Sequence, residues 1–129
     1  MKIEHVAIWA KDLDKMKEFY VRYFNATANQ KYHNESKNFT SYFLSFESGS
    51  RLELMNKPEI TTVKNDFNNQ SLGFVHLAFS VGSKMMVDEL TEKLRSDGYE
   101  VVGESRMTGD GYYESVILDP ENNIIEITM

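Results

Sequence analysis

The sequence predicts an α+β fold of two tandem βαβββ modules, whose strands form a curved mixed sheet, a half-barrel, around a central cleft. Three observations carry that expectation. Two apolar strands each hold one histidine, in Ile3-Glu4-His5-Val6-Ala7-Ile8-Trp9 and Phe74-Val75-His76-Leu77-Ala78-Phe79. Two later strands each hold one glutamate between aliphatic residues, in Leu52-Glu53-Leu54 and Ile125-Glu126-Ile127. The spacing from His5 to His76 nearly equals that from Glu53 to Glu126, which marks a duplicated unit.

The elements follow in order. Ile3–Trp9 alternates as a half-buried strand, with Val6 and Ile8 on one side and Ile3, His5, Ala7 and Trp9 on the other. Asp12 is an N-cap for a helix over Leu13–Asn25, whose apolar stripe is Leu13, Met16, Phe19, Tyr20, Tyr23 and Phe24. A strand over Thr27–Tyr32, a polar turn over His33–Asn38 and a strand over Phe39–Phe46 come next. His33, in that turn, is expected to be solvent-exposed. The turn Glu47-Ser48-Gly49-Ser50 leads into a strand at Arg51–Met55.

Lys57–Leu72 is polar, rich in Asn and Thr, and contains Pro58, which reads as a linker. The chain is therefore expected to be one domain over 1–129, made of a module at 1–56, a linker at 57–72 and a module at 73–129. The second module repeats the first. After the strand at Gly73–Ser80, Ser83 caps a helix over Lys84–Asp97 that Gly98 stops, with Val87, Leu90 and Leu94, joined by Met86, as the buried stripe. Strands follow at Tyr99–Ser105, Tyr112–Leu118 and Asn123–Met129, with turns at Gly109-Asp110-Gly111 and Asp119-Pro120-Glu121-Asn122. One helix covers one face of a four-stranded sheet, so the other face needs a partner, which duplication supplies. Alternation then puts Leu52, Leu54, Ile125 and Ile127 under the helices, and Glu53 and Glu126 in the cleft with His5 and His76.

Composition narrows the function. The 129 residues carry a formal charge of −6, which disfavours a nucleic-acid partner, since phosphate binding wants a basic face. No apolar run approaches the roughly 20 residues of a membrane helix. The strand that opens the chain shows no secretory pattern, so a cytoplasmic location is expected. With no cysteine there is no disulfide, thiolate metal site or cysteine nucleophile.

Two imidazoles and two carboxylates converging on a concave surface suit a divalent transition metal such as Zn, Ni, Co, Fe or Mn. Such a metal polarises a substrate carbonyl and stabilises an enediolate as it forms, while a ligating glutamate that leaves the metal acts as general base. Each residue taken singly reads more plainly as a hydrogen-bonded strand histidine or a solvated strand glutamate. The matching positions in both repeats are what raise the metal reading above that.

Ile3-Glu4-His5-Val6-Ala7, Glu18-Phe19-Tyr20, Phe74-Val75-His76-Leu77-Ala78-Phe79 and above all Leu118-Asp119-Pro120-Glu121-Asn122-Asn123-Ile124-Ile125-Glu126 resemble the glyoxalase/bleomycin resistance/dioxygenase (vicinal oxygen chelate) superfamily. The resemblance covers nearly the whole chain. It implies paired βαβββ modules, a small-molecule substrate and a homodimer. The His/Glu/His/Glu set is most similar to bacterial glyoxalase I, the lactoylglutathione lyase, which isomerises a 2-oxoaldehyde thiol adduct. That implies His5, Glu53, His76 and Glu126 as metal ligands, with Glu126 and Glu53 as catalytic residues and Glu126 moving the proton. Related epimerases tend to have glutamine where Glu53 stands, and dioxygenases and thiol transferases of the family use a His/His/Glu triad. Other members are metal-free drug-binding proteins. The sequence departs from the glyoxalase pattern at Trp9, where the resemblance implies a glutathione-gripping arginine. Trp9, Asn56, Arg51 and Arg106 are the expected substrate contacts.

Overall fold

A computed structural model describes residues 1–62 and 66–129; Val63, Lys64 and Asn65, inside the expected linker, lie outside the described residues. The chain divides into two compact units, Met1–Val63 and Lys64–Met129. The first runs β1 (His5–Trp9), α1 (Leu13–Phe24), β2 (Thr27–Ala28), β3 (Tyr32–Asn34), a 3₁₀ turn (Glu35–Lys37), β4 (Phe39–Ser45) and β5 (Arg51–Asn56). The second runs β6 (His76–Ser80), α2 (Lys84–Ser96), β7 (Val101–Met107), β8 (Tyr113–Leu118) and β9 (Ile124–Thr128). This is the expected α+β architecture of two βαβββ-type modules. The hydrogen-bond ladders make two mixed sheets, one per unit: β1-β5-β4-β2, with β3 also on β4, and β6-β9-β8-β7. In each, the first strand runs parallel to the last and the remaining pairs are antiparallel.

In the first unit the helix stripe is as expected: Leu13, Met16, Phe19, Tyr20, Tyr23 and Phe24 are all buried. They pack on β4 and β5, against Tyr42, Leu44, Leu52 and Leu54. The Asp12 side chain accepts from the Lys15 N–H at 3.0 Å, and Asn25 closes the helix in the left-handed region at φ 52°. The strand expected over Thr27–Tyr32 is split. Asn29 lies between the pieces and satisfies β4 partly by side chain, its Oδ1 accepting from the Phe43 N–H at 2.8 Å. His33 lies in β3 rather than in a turn, paired with Thr40 and exposed as expected. The 3₁₀ turn that follows is capped by Asn34.

Lys31, in the gap between β2 and β3, donates to Asp14 Oδ2 at 2.7 Å, and the Tyr42 hydroxyl donates to Oδ1 at 2.8 Å. Both partners favour the ionised acid, Lys31 most, and hold Asp14 below its usual 3.8. A native value below the unfolded one stabilises the fold above pH 3.8, and that contribution is lost as pH falls through the lower native value. Asp14→Asn should therefore unfold at lower urea than wild type near neutrality, with the gap closing on acidification. A gap that stays constant with pH would show that the charge of Asp14 plays no part.

In the second unit α2 packs on β7, β8 and β9. Ser83 caps it, accepting from the Met86 N–H at 3.3 Å, and Gly98 at φ 92° follows its end. The buried stripe is Val87, Thr91 and Leu94, with Leu90 half-buried. Met86, expected inside, is 48% exposed. Thr91 takes the inner place because its hydroxyl is satisfied there, donating to the Val87 carbonyl at 2.6 Å and sharing a hydrogen bond with Ser115 Oγ at 2.6 Å. Part of the expected linker is core: Phe67 packs on Val116, Leu118 and Ile124 together with Val102. Among the described residues no helix is long and apolar enough to cross a membrane.

Candidate metal and substrate site

Alternation sorts each sheet into two faces. In the first unit Leu52 and Leu54 are buried under α1, so Arg51, Glu53 and Met55 turn to the other face. The parallel register sets Ala7 across from Glu53 and His5 across from Arg51. His5, two residues before Ala7, thus shares a face with Glu53 and reaches it diagonally, Nε2 to Oε2 at 3.8 Å. The second unit repeats the arrangement. Ile125 and Ile127 are fully buried, Ala78 sits across from Glu126, and His76 Nε2 lies 3.2 Å from Glu126 Oε2. In both units an alanine faces the glutamate, and its methyl leaves the imidazole and carboxylate free to meet. The glutamates are sunk, at 14% and 21% exposure, while the histidines stand more open at 40% and 38%.

The strand carrying Glu126 is positioned by the preceding hairpin. Buried Asp119 accepts from the backbone N–H groups of Glu121 and Asn123, each at 2.9 Å, and from the Asn123 amide at 2.8 Å. Asn122 turns through the left-handed region at φ 65°. The Asp-Pro-Glu-Asn-Asn run is therefore a self-capped turn that starts β9 in register.

The donor chemistry fits a divalent transition metal. Two ligands about 2.0–2.2 Å from one ion, at angles between square and tetrahedral, stand roughly 3–3.5 Å apart. The His76–Glu126 separation falls in that span, and the His5–Glu53 separation lies slightly beyond it. The four expected ligands are thus brought together two by two, one pair in each unit. Among the described residues no three His, Asp or Glu side chains of a unit gather around one point.

A residue the sequence reading passed over completes the first pair. Glu4 Oε2 meets His5 Nδ1, on the ring edge away from Glu53. Its other oxygen accepts from Arg51 Nε at 2.7 Å. The His5 hydrogen bond first, and Arg51 second, hold the Glu4 carboxyl below its usual range. The Arg51 guanidinium also lies over the Phe43 ring at 4.2 Å, and Phe43 meets His5 edge-to-face at 5.3 Å.

The expected substrate contacts separate. Trp9 is 43% exposed on the face of His5, edge-to-face with Phe39, which in turn contacts Tyr32. Arg51 shares that face but is held by Glu4. Arg106 lies across from Glu114, with Nη2 3.6 Å from its carboxylate, on the Glu126 face of the second sheet. Asn56 does not join them. Alternation puts it with Leu52 and Leu54, and its amide donates to the carbonyls of Ala10 at 2.8 Å and Lys11 at 3.2 Å.

Comparison with known proteins identifies the family and the fold. Residues 2–127 match the family model described as Glyoxalase/Bleomycin resistance protein/Dioxygenase superfamily. The chain is 24% identical over 128 residues to the uncharacterized protein YqjT of Bacillus subtilis, covering 97% of this chain and 96% of that one. It superposes on a glyoxalase family protein from Enterococcus faecalis with a TM-score of 0.79 at 25% identity, over 99% of this chain and 97% of the other. It superposes likewise on the trypanothione-dependent glyoxalase I of Leishmania major, with a TM-score of 0.78 at 22% identity, over 98% and 85% of the two chains.

Proposed function

Because the chain belongs to the Glyoxalase/Bleomycin resistance protein/Dioxygenase superfamily, we propose that it is a metal-dependent lyase or isomerase of the glyoxalase I type, acting on the thiol adduct of a 2-oxoaldehyde. The observation that carries this reading is the repeated imidazole–carboxylate pair, set by the same parallel register with the same alanine opposite the glutamate. His5, Glu53, His76 and Glu126 are the ligands, and the protein works as a cytoplasmic homodimer. The reading concerns the ligand set and holds whether the two pairs come from one chain or from two.

A divalent transition metal bound by these donors supplies Lewis-acid stabilisation of the negative charge that builds on the substrate oxygens. The protein's own part is proton transfer and positioning. Glu126, sunk beside His76 on the face away from α2, takes the proton from the carbon next to the substrate carbonyl and returns it to the neighbouring carbon. The net change is an isomerisation, with no oxidant or reductant consumed. Glu53 holds the corresponding place in the first module. Trp9 and Arg51 in that module, and Arg106 in the second, border the substrate.

One observation favours a second reading of the substrate. Trp9 stands where a glutathione-gripping arginine is implied, and half-buried Phe39 and exposed Tyr32 extend it into an aromatic row. The same metal set would then act on a flatter, less charged molecule. Turnover of methylglyoxal–glutathione hemithioacetal with Ni, Co or Zn supplied tests the first reading. Stoichiometric metal by elemental analysis, lost in His76→Ala, tests the ligand set that both share. Metal without hemithioacetal turnover would leave the second reading, and no bound metal would end both.

A further inference from the structure

Resting on the metal reading, we propose that Glu4 is a positioning residue that fixes the His5 imidazole in the tautomer presenting the Nε2 lone pair toward Glu53. An ionised carboxylate only accepts hydrogen bonds, so the proton between Glu4 and His5 belongs to Nδ1. The other ring nitrogen then carries a lone pair, and it is the one that lies 3.8 Å from Glu53. Without Glu4 the nearest carboxylate to the ring is Glu53. That would draw the proton to Nε2 and block the atom a metal needs. A histidine ligand backed by a carboxylate on its far nitrogen is the arrangement that orients the ring and raises its basicity as a donor.

Glu4 is itself held in place. Arg51 grips its second oxygen through Nε and Nη2, Phe43 supports the guanidinium, and Phe43 closes the loop back onto His5. The backbone adds two ties: the Arg51 N–H donates to the Glu4 carbonyl at 3.0 Å, and Ser50 Oγ donates to the Ile3 carbonyl at 2.7 Å. Among the described residues the second module shows no such device. Val75 precedes His76, Ile124 sits across from it where Arg51 sits across from His5, and Val116 faces Glu126 where Phe43 faces Glu53. The two half-sets share a histidine and a glutamate, but among the described residues only the first has a charged support.

Metal-free, ¹⁵N-labelled protein tests this directly through long-range ¹H–¹⁵N spectra of the imidazoles above their titration range. Wild type should show His5 protonated at Nδ1, and Glu4→Ala should move the proton toward Nε2. Glu4→Gln, which keeps an acceptor oxygen, should preserve the wild-type tautomer. Competition with a chromogenic chelator for Zn or Co should show affinity falling about 10–100-fold in Glu4→Ala, and much less in Glu4→Gln. An unchanged His5 tautomer in Glu4→Ala, or a changed tautomer at unchanged affinity, would overturn the proposal. Failure of wild type to bind metal would instead defeat the metal reading, and the spectra alone would decide whether Glu4 orients His5. If Glu4→Ala does not fold, Arg51→Gln, which frees Glu4 from its anchor, should weaken the Nδ1 preference and the affinity in the same direction; no change in either would overturn the proposal.

Discussion

Glu126→Gln is expected to lower hemithioacetal turnover by about 10²–10⁴-fold while leaving the fold intact. The change keeps the size of the side chain and an oxygen beside His76, but removes the basicity needed to take a carbon-bound proton. Glu126 lies on the face of its sheet away from α2, so the core beneath that helix does not feel the substitution. The swap also keeps the shape that Glu126 presents to Val116 across from it, so the unfolding free energy should hold to within about 0.5 kcal/mol. Metal content measured on the same sample separates loss of a base from loss of a ligand. Full metal occupancy with kcat near wild type would take the proton-moving role away from this residue.

One position earlier the outcome should invert. Ile125 is fully buried beneath α2 and belongs, with Ile127, Ile117, Val87 and Leu94, to the core of the same unit. Ile125→Ala deletes buried methyl groups and leaves a void that the strand ladder does not let the neighbours close, so stability should fall by about 2–5 kcal/mol. Urea denaturation followed by far-UV circular dichroism measures it. A loss under about 1 kcal/mol would mean that the site collapses freely or that Ile125 is not buried as described. Two adjacent residues thus report separately on chemistry and on folding, because a strand sends successive side chains to opposite faces.

That alternation is also why so much was legible beforehand. Leu52 and Leu54 against Glu53, and Ile125 and Ile127 against Glu126, fix which face each strand buries, and the six-residue stripe of α1 fixes what covers it. Asp12, Ser83 and Gly98 mark helix ends by chemistry local to the chain. What the sequence hid depends on partners far away along it. Thr91 reads as polar in a periodicity count, and Ser115, distant in sequence on β8, joins the Val87 carbonyl in satisfying its buried hydroxyl. Asn56 reads as a substrate contact near Glu53, yet its amide ties the end of β5 to the segment after β1. Glu4 stayed out of sight for a geometric reason. Neighbours on a strand diverge, so Glu4 and His5 should not meet. They do because Glu4 lies just before the first residue of β1, and Arg51 draws its carboxylate across toward His5.

Ala7 and Ala78 lie across from the glutamate of each imidazole–carboxylate pair, on the same face. A hydroxymethyl at either place would narrow the doorway to that pair, and a branched side chain would plug it, with no core atom displaced. Under the proposed function, these two positions are where access to the imidazole–carboxylate pairs would be tuned without touching a single donor atom.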